Sequence, residues 1–352
     1  MTSIDMIPDD VLDAFDLREN SSTTILKSGL IHASFKVSKN QENYFLQRIN
    51  SKIFKNPQAV QENYSIVRNH LLSKSCFRPP AIILTIDFQQ LYQRGVDSWR
   101  CFEFVDQSFS PEVIVSAEQA FEVASCFGKF AADLANLPAS NLHVILPGFH
   151  NLGLRFQQFE TALKNASDDW RSEARDLIED VYQRKYLLEF YNSISRSPDY
   201  PLHTFHHDCK ISNILFRQGS QQVISIIDLD TTQPGFFFSD VGDMLRSMVP
   251  SISEDDPDLE KLEFRIEFFN AVISGYEEAT KHFLNSSEVN HLPQSGLIIT
   301  YMQGMRFLTD FLNGNIYYQV TYPKQNKLRA ANQFRLLSLM EQYVESRYNK
   351  LL

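Results

Sequence analysis

Residues 206–216 read HHDCKISNILF, the pattern H-x-D-x-K-x-x-N followed directly by apolar residues. A short polar turn, residues 217–220, separates them from a second apolar run at residues 223–227. Two apolar runs joined by a short turn that contains glycine are typical of a β-hairpin. Asp228 follows the second run, so the hairpin is expected to bring Asp228 across from Asn213.

The residue types around this hairpin match the needs of phosphoryl transfer. A carboxylate must accept the proton of an attacking hydroxyl, and Asp208 is the candidate for that role. Carboxylate and amide oxygens hold Mg²⁺ against phosphates, which fits Asp228 and Asn213. Lys210 is expected to offset charge on the transferred group.

The alternative interpretation of these residues is structural. A lone H-x-D tripeptide is more often structural than catalytic, and only the combination of both motifs with the two apolar strands indicates chemistry. Within the stretch, His206 is interpreted as a buried, hydrogen-bonded organiser of the loop and Cys209 as a small core residue.

Length and composition indicate a globular protein of two domains or one large two-lobed unit, since the chain has 352 residues, 43% of them hydrophobic and 22% charged. No apolar run approaches the ~20 residues of a membrane span, and the first residues do not resemble a secretory signal. The four cysteines, Cys76, Cys101, Cys126 and Cys209, form no C-x-x-C pair, which disfavours disulfides and zinc and indicates a cytoplasmic location.

The charge narrows the possible partners. A net charge of −10 disfavours a nucleic-acid partner, because an acidic surface repels phosphate backbones. It still allows a local pocket of a few cations for a small phosphorylated ligand. Neither GxxxxGK[ST] nor GxGxxG occurs, so P-loop and Rossmann nucleotide sites lose their main support. We expect no membrane partner, and a monomer or weak homodimer.

The chain changes character after its first hundred residues. A helix is expected to begin at Asn56-Pro57, and strands are expected at residues 23–37, 43–49, 81–86 and 99–105. From about residue 111 the pattern is mostly helical, and Ser116 with Gln119 has the spacing of a capping box. Helices are expected at about residues 116–137, 171–195, 257–286, 294–313 and 327–348.

The predicted class is therefore α+β with two lobes. Residues 1–105 form a small β-rich lobe, a hinge lies at about residues 103–106, and residues 107–352 form a larger helical lobe that carries the hairpin.

Four stretches resemble a known family: residues 44–54 (YFLQRINSKIF), 206–216, 227–246 (IDLDTTQPG and SDVGDMLR) and 306–314 (RFLTDFLNG). They resemble the protein-kinase-like superfamily in its aminoglycoside phosphotransferase/choline kinase branch, and within that branch they are most similar to the N-acetylhexosamine 1-kinases. The resemblance implies a bilobal protein-kinase-like fold, ATP as co-substrate and Mg²⁺ as cofactor.

The resemblance also implies a nucleotide site in the first lobe. Arg48 would replace the strand lysine that grips the α- and β-phosphates, with Glu62 as its helix partner, although the two could equally form a plain surface ion pair. The loop between the first two strands has a single glycine, so it cannot cradle phosphates as a Gly-rich loop does. The implied nucleotide-binding residues are Gly29, His32, Ser34, Arg48, Glu62, Glu103 and Val105, the last two at the hinge.

For the second lobe, the resemblance implies the catalytic and acceptor residues. Asp208 would be the base with Lys210 beside it, Asn213 and Asp228 the metal ligands, and Asp240 a buried carboxylate that braces the loop. The implied acceptor-binding residues are His32, Asp208, Asp243, Arg306 and Tyr317, with Phe149, His150, Arg155 and Asp310 as further candidates.

The acceptor is expected to be a small hydroxyl compound, because the DFG and Ala-Pro-Glu segments of protein kinases are absent. The leading hypothesis is phosphorylation of the anomeric hydroxyl of an N-acetylhexosamine-type sugar, a hydroxyl acidic enough for an ordinary carboxylate base. The alternatives are an aminoglycoside, an amino alcohol or homoserine as acceptor, or a non-catalytic, nucleotide-binding pseudokinase.

Overall fold

A computed structural model describes residues 6–26, 31–74, 77–349 and 351–352 of the chain. Its helices are α1 (Asp9–Ala14), α2 (Pro57–Leu72), α3 (Ala117–Asp133), α4 (Leu152–Asn165), α5 (Asp168–Glu173), α6 (Arg175–Gln183), α7 (Lys185–Arg196), α8 (Phe238–Met248), α9 (Ile266–Thr280), α10 (Ser286–Asn290), α11 (Ser295–Leu312) and α12 (Gln325–Tyr348). Its strands are β1 (Ser21–Leu26), β2 (Ala33–Lys39), β3 (Glu42–Ile49), β4 (Ile82–Ile83), β5 (Tyr92–Arg94), β6 (Asp97–Glu103), β7 (Ser108–Phe109), β8 (His203–Phe205), β9 (Ile214–Arg217), β10 (Val223–Ile226) and β11 (Gln233–Gly235).

The chain divides into two compact units. The first unit comprises the chain up to residue 111 together with residues 140–146 and 213–233, and the second comprises residues 112–139, 147–212 and 234–352. The predicted α+β class is confirmed, since the first unit is built on an antiparallel sheet and the second is mainly helical. The predicted boundary near residues 105–107 stays a prediction.

The sheet of the first unit has the strand order β1-β2-β3-β6-β4, and β5 pairs with β6. Side chains alternate between the two faces of a strand, so directly paired residues share a face. One face carries Phe35, Leu46 and Trp99, which pack with α1 in an apolar core. The other carries Phe102, whose ring lies 4.7 Å from that of Tyr64 in α2. The two helices therefore cover opposite faces.

The predicted start of α2 is confirmed. The Asn56 side chain accepts the Ala59 N–H at 3.2 Å, and Pro57 stands at the first helical position. Both are favoured there because the first turn of a helix has N–H groups without intrahelical partners.

The predicted hairpin is also confirmed, within the first unit. β9 pairs with β10 so that Ile214 lies opposite Ile226, and β7 pairs with the other edge of β9. The Ile227 N–H donates to the Asn213 carbonyl at 2.9 Å and closes the end of the hairpin. Asn213 therefore directly precedes β9, and Asp228 lies two residues beyond the end of β10.

In the second unit, α3 packs along α9, and α11 packs against both α8 and α12. Ser116 caps α3 as predicted, accepting the Gln119 N–H at 3.2 Å. None of the described helices is long and apolar enough to cross a bilayer.

Several predicted boundaries were wrong for local reasons. The helix predicted at residues 171–195 is three helices, because Ala174 and Arg184 leave the helical conformation with ψ of 14° and 20°. The helix predicted from residue 257 begins only at Ile266, since the Asp258 side chain caps a separate short turn.

The strands before residue 90 also differ from prediction. The single strand expected at residues 23–37 is two strands, β1 and β2, with residues 27–30 outside the described part. The strand expected at residues 81–86 is reduced to β4, because Thr85 begins a turn that accepts the Phe88 N–H at 2.9 Å.

The close contact of α3 and α9 predicts the effect of a glycine substitution. A Cβ on Gly275 would lie 2.4 Å from the Phe121 carbonyl oxygen, a fixed backbone atom. We expect Gly275→Ala to lower the free energy of unfolding by about 1–3 kcal/mol, because the helices must separate. Urea unfolding followed by circular dichroism measures the change.

Gly153 in α4 provides the matched control. A Cβ there meets its nearest neighbour, Asn151 Oδ1, only at 3.4 Å. Gly153→Ala should leave stability unchanged or raise it by up to about 1 kcal/mol through helix propensity. Equal effects of the two substitutions would contradict the packing described for α3 and α9.

Candidate active site

The loop after β8 is organised by His206, as predicted. This side chain is fully buried, and its ring meets the edges of Phe127 and Phe130 at centroid distances of 5.3 and 5.7 Å. Its Nδ1 accepts the backbone N–H of Asp208 at 3.3 Å. His206 therefore holds the backbone of Asp208 and is not placed as a proton carrier.

Asp240 braces the same loop, as the family resemblance implied. Its carboxylate accepts the backbone N–H groups of His206 at 3.2 Å and His207 at 2.7 Å. His207 has a φ of +69°, a left-handed conformation that a non-glycine residue keeps only when its surroundings impose it. A Cβ on Gly235 would lie 2.2 Å from the His207 ring, so only glycine fits beside it.

Asp208 follows these braced residues and is partly exposed. Lys210 Nζ lies 2.9 Å from Asp208 Oδ2, and the two side chains are 41% and 22% exposed. A carboxylate that is held by its backbone and reached by solvent can accept a proton from a hydroxyl. Asp208 and Lys210 thus form an ion pair, and the predicted role of Lys210 in offsetting charge on the transferred group stays a prediction.

Asp243 has different contacts from those predicted for an acceptor-binding residue. It is buried, accepts the Cys209 N–H at 2.9 Å and forms an ion pair with Arg246 at 2.9 Å. Burial raises the pKa of Asp243 above its ordinary value, against the lowering effect of Arg246. Asp243 is therefore a second carboxylate that holds the loop backbone, and we do not keep it as an acceptor contact.

A buried hydroxyl joins two histidines beside the loop. Ser239 Oγ lies within hydrogen-bond distance of Nδ1 of both His150 and His207. Burial, with the charge of His207 and Arg306 next, holds the pKa of His150 well below its ordinary value. His150 is consequently a neutral packing and hydrogen-bonding residue, stacked on Phe149 at 4.5 Å between ring centroids.

The first unit carries the predicted metal ligands. Asp228 follows β10 with a φ of +61°, and ligand atoms of Asp228, Asp230 and His32 all lie within 4.8 Å of one another. Carboxylate and amide oxygens are the ligands that Mg²⁺ prefers, so Asp228 together with Asn213 fits this ion. The assignment of the two residues as ligands stays a prediction.

Asp230 is tied into a buried ion pair. Arg100 forms two bonds with its carboxylate, at 2.8 and 2.6 Å, and also donates to Gln47. Burial alone would raise the pKa of Asp230, but Arg100 and then His32 outweigh it and hold that pKa well below its ordinary value. Asp230 is therefore held by Arg100 within the first unit.

The His32 ring lies between the backbone of Asn50 and the carboxylate of Asp230. Nδ1 accepts the Asn50 N–H at 3.0 Å, so Nε2 carries the proton in the neutral ring and faces Asp230 at 2.9 Å. The ring also stacks on Phe54 at 5.1 Å between centroids. These contacts make His32 a structural residue, and we keep it neither as a nucleotide nor as an acceptor contact.

The predicted pairing of Arg48 with Glu62 was wrong. Arg48 lies 3.5 Å from Asp97, whereas Glu62 lies 2.8 Å from His143 and accepts from Gln58. The reason is the register of β3 on β6, in which Arg48 is paired with Trp99 on the face that α1 covers.

The opposite face of β3 carries the residues that reach Asp230. Gln47 is paired with Arg100, and both lie on that face. Sequence reasoning missed this pair. The available signal was a single arginine in the otherwise apolar strand WRCF at residues 99–102.

The other residues predicted to bind the nucleotide are Ser34, Gly29, Glu103 and Val105. Ser34 is buried and its hydroxyl accepts from Gln47 at 3.0 Å, while Gly29 lies outside the described residues. At the expected hinge, the Glu103 N–H donates to the Ala81 carbonyl at 2.9 Å, and the contact of Glu103 with adenine stays a prediction. The role of Val105 stays a prediction.

A cavity of about 540 Å³ lies in the second unit, lined by α4, α11 and the segment after α11. Its lining includes Arg155, Arg306, Tyr317 and Tyr318. Arg306 lies over the ring of Phe149 at 5.9 Å, and Phe149 meets the His207 ring edge-on at 6.3 Å. Side-chain contacts therefore run from Arg306 in the cavity lining, through Phe149, to His207 in the loop of Asp208.

Asp310 lines the cavity without offering it a vacant oxygen. Its two carboxylate oxygens accept the N–H groups of Ile316, Tyr317 and Tyr318 and the side-chain amide of Asn326, at 2.8–3.0 Å. Asp310 fixes the segment that carries Tyr317, and its predicted role as an acceptor contact is not supported.

The buried pair in the first unit generates a stability prediction. Arg100→Gln removes the charge that compensates Asp230, and an unpaired buried charge is costly. We expect a loss of about 3–5 kcal/mol in the free energy of unfolding, measured with urea.

Arg94→Gln is the matched control for this substitution. Arg94 pairs with Asp10 at 2.8 Å, but both side chains are about half exposed, so the expected loss is below about 1 kcal/mol.

The depressed pKa of Asp230 stabilises the fold above the ordinary carboxyl pKa of about 4 and less as the pH falls below it. A stability advantage of wild type over Asp230→Asn that grew on acidification would contradict this assignment.

Comparison with known proteins places these features in a family. The model of a family described as "APH: Phosphotransferase enzyme family" matches residues 22–278. Among solved structures, a microcompartment-associated aminopropanol kinase is similar with a TM-score of 0.66, 17% identity and coverage of 98% of each chain. These values show a common fold.

Two further solved structures share the fold. An aminoglycoside phosphotransferase from Alicyclobacillus acidocaldarius has a TM-score of 0.63 and 15% identity over 97% of each chain. A choline kinase from Cryptosporidium parvum has a TM-score of 0.54 and 15% identity over 94% of this chain and 93% of its own. Because the family match spans residues 22–278, well over half of the sequence, this chain belongs to the phosphotransferase enzyme family.

Proposed function

We propose that this protein is an ATP- and Mg²⁺-dependent kinase that phosphorylates the anomeric hydroxyl of an N-acetylhexosamine-type sugar. The observation that carries the proposal is the construction of the Asp208 loop. The carboxylates of Asp240 and Asp243 accept three backbone N–H groups of the loop, those of His206, His207 and Cys209. The Asp208 side chain stays partly exposed. A fixed carboxylate of this kind suits a general base.

In the proposed reaction, Asp208 accepts the proton as the sugar oxygen attacks the γ-phosphorus of ATP. The new oxygen–phosphorus bond forms while the bond to the β-phosphate oxygen breaks, and ADP leaves. Lys210, 2.9 Å from Asp208, carries positive charge beside the attacking oxygen. An anomeric hydroxyl is more acidic than an ordinary alcohol, so an unperturbed carboxylate suffices.

The metal ligands come from the first unit. Asp228 and the side chain of Asn213 would hold Mg²⁺, which supplies charge neutralisation on the β- and γ-phosphates when bound. The Asn213 carbonyl is already fixed by the Ile227 N–H, so the position of this residue relative to Asp228 is set by the hairpin. Arg100 keeps Asp230 out of the ligand set.

The cavity of the second unit supports a sugar as the acceptor. Its volume of about 540 Å³ is suited to a monosaccharide. Gln157, Gln158, Thr309 and Asn313 supply donors and acceptors for hydroxyl and acetamido groups, and Tyr317 supplies an aromatic face for the C–H surface of the ring.

An amino alcohol is the second candidate acceptor. It is favoured by the names of structural neighbours, which include an aminopropanol kinase, a choline kinase and an ethanolamine kinase. An ammonium group would be repelled by Arg155 and Arg306 in the lining, and Asp310, which could offset that repulsion, already accepts four hydrogen bonds. The lining of the cavity therefore favours the sugar.

Acceptor specificity and Asp208 can be tested together. Purified protein with Mg-ATP is offered N-acetylglucosamine, N-acetylgalactosamine, choline, ethanolamine and an aminoglycoside in a coupled ADP-release assay. We expect turnover of the acetylated sugars, and a fall in kcat of roughly 100- to 10,000-fold in Asp208→Asn, because the base is lost. Phosphorus NMR should show the product phosphate coupled to the anomeric proton.

The control is Asp169→Asn, which changes an exposed carboxylate in the same unit and should leave kcat unaltered. Turnover of choline or ethanolamine alone would replace the sugar with the second candidate. Tight nucleotide binding without turnover of any acceptor would instead indicate a pseudokinase, and full activity in Asp208→Asn would refute the proposed base.

A second prediction concerns Arg48. Its side chain lies on the α1 face of the sheet with Trp99 and Asp97, away from the face on which Arg100 meets Asp230. We expect Arg48→Gln to change the KM for ATP by no more than about twofold, as for a partly exposed ion pair. Steady-state kinetics with varied ATP measure it, and an increase of tenfold or more would restore the phosphate-gripping role.

A further inference from the structure

We propose that the acceptor carries an anionic group, a carboxylate, which binds between Arg155 and Arg306 in the cavity of the second unit. The inference deepens the proposed function and rests on it, because it concerns the acceptor of the same reaction. It narrows the acceptor from N-acetylhexosamines in general to their acidic derivatives.

The first argument is that two guanidinium groups line one cavity without acidic partners. Among the described residues, neither Arg155 nor Arg306 forms an ion pair with a carboxylate. Arg155 donates to the carbonyls of Gly148 and Phe149 at 3.1 Å and to Gln158 at 2.9 Å. Arg306 donates to Gln303 at 3.0 Å. An arginine that lines a cavity is normally paired with an acid. The guanidinium loses hydration free energy there, and a counter-charge restores it.

The second argument is the local accumulation of positive charge. Burial, and then the proximity of Arg306, lowers the pKa of Arg155 to about 10. The Arg155 Nε is buried and has no hydrogen-bond partner among the described residues. Both features are relieved by an anion, since a carboxylate accepts two parallel N–H bonds from a guanidinium.

The third argument excludes the acidic residue of the cavity as the missing partner. Asp310 is the carboxylate in the described lining, and its oxygens accept three backbone N–H groups and one amide. The described lining therefore holds two guanidinium groups and one carboxylate whose oxygens already have partners. This balance of charged side chains in the cavity favours the binding of a ligand that carries a negative charge.

The surroundings show where the rest of the acceptor lies. Arg306 sits over the rings of Phe149, Tyr317 and Tyr318 at 5.9, 5.9 and 5.6 Å. Phe149 leads to His207, the neighbour of Asp208. The carboxylate would therefore occupy the end of the cavity near Arg155, and the ring with its reacting hydroxyl would extend past Phe149.

The experiment compares acceptors that differ in charge. The series is glucosamine as the cation, N-acetylglucosamine as the neutral sugar, and N-acetylglucosaminuronic acid and N-acetylmuramic acid as anions with the carboxylate at different ends of the ring. We expect kcat/KM of at least one acid to exceed that of the neutral sugar by roughly 10- to 100-fold, as for a charge-assisted hydrogen-bonded pair. Glucosamine should be the poorest acceptor.

Variants of the two arginines locate the effect. Arg155→Gln and Arg306→Gln should each lower kcat/KM for the preferred acid by roughly 10- to 100-fold more than they lower it for N-acetylglucosamine, which removes the preference. Arg306→Lys should restore part of it by restoring the charge. Arg171→Gln, a change at a surface pair with Asp168, is the matched control and should behave as wild type.

The outcomes separate the inference from the proposed function. Turnover of the neutral sugar with no gain for either acid overturns the inference and leaves the kinase intact. Absence of turnover for all four sugars, with turnover of another acceptor, overturns the proposed function. Arg306-dependent binding of inorganic phosphate in calorimetry, without preference for an acidic acceptor, would mark a site for free anions and overturn the inference as well.

Discussion

Two backbone N–H groups that donate to one buried carboxylate are the constraint on which the candidate active site depends. His206 and His207 both donate to Asp240, and this pair of bonds holds His207 in a left-handed conformation that its side chain would otherwise avoid. The next residue is Asp208, so its direction follows from the same two bonds. The backbone conformation is set by α8, which carries Asp240 and Ser239. A short loop is thus made rigid by a long helix, and a general base needs that rigidity.

In the first unit the corresponding constraint is a buried ion pair between side chains that are far apart in the sequence. Arg100 in β6 binds both oxygens of Asp230, and Gln47 in β3 and His32 surround the pair. Of the two aspartates in Asp-Leu-Asp, Asp230 is thereby neutralised by Arg100, and Asp228 is the one that the proposal assigns to the metal ion. The distinction between two chemically identical side chains lies in their partners, and the depressed pKa of Asp230 reflects those partners.

The parts of the site that could be predicted from sequence are those that are close along the chain. The hairpin and the N-cap of α3 depend on local patterns and were confirmed, whereas the pairing of Asn213 with Asp228 as metal ligands stays a prediction. Arg48 was misplaced because its role depends on which face of β3 it occupies, and a shift of one residue exchanges the two faces. Asp243 was misplaced for a different reason: its partner, the Cys209 N–H, lies 34 positions away, and no pattern in the sequence marks it. The cationic character of the cavity likewise requires α4 and α11 side by side, which an overall charge of −10 conceals.

The composition of the first unit from three separate stretches has a consequence for biosynthesis. Arg100 and Asp230 are 130 positions apart, and Asp230 belongs to a stretch that is translated after residues 112–139 and 147–212 of the helical unit. At a rate of synthesis of about 5–20 residues per second, Asp230 is added to the chain on the order of ten seconds after Arg100. During this interval the nascent sheet carries an unneutralised arginine that must stay hydrated, so the sheet cannot close over it. Folding of this unit is therefore completed only after the Asp-Leu-Asp segment has been synthesised.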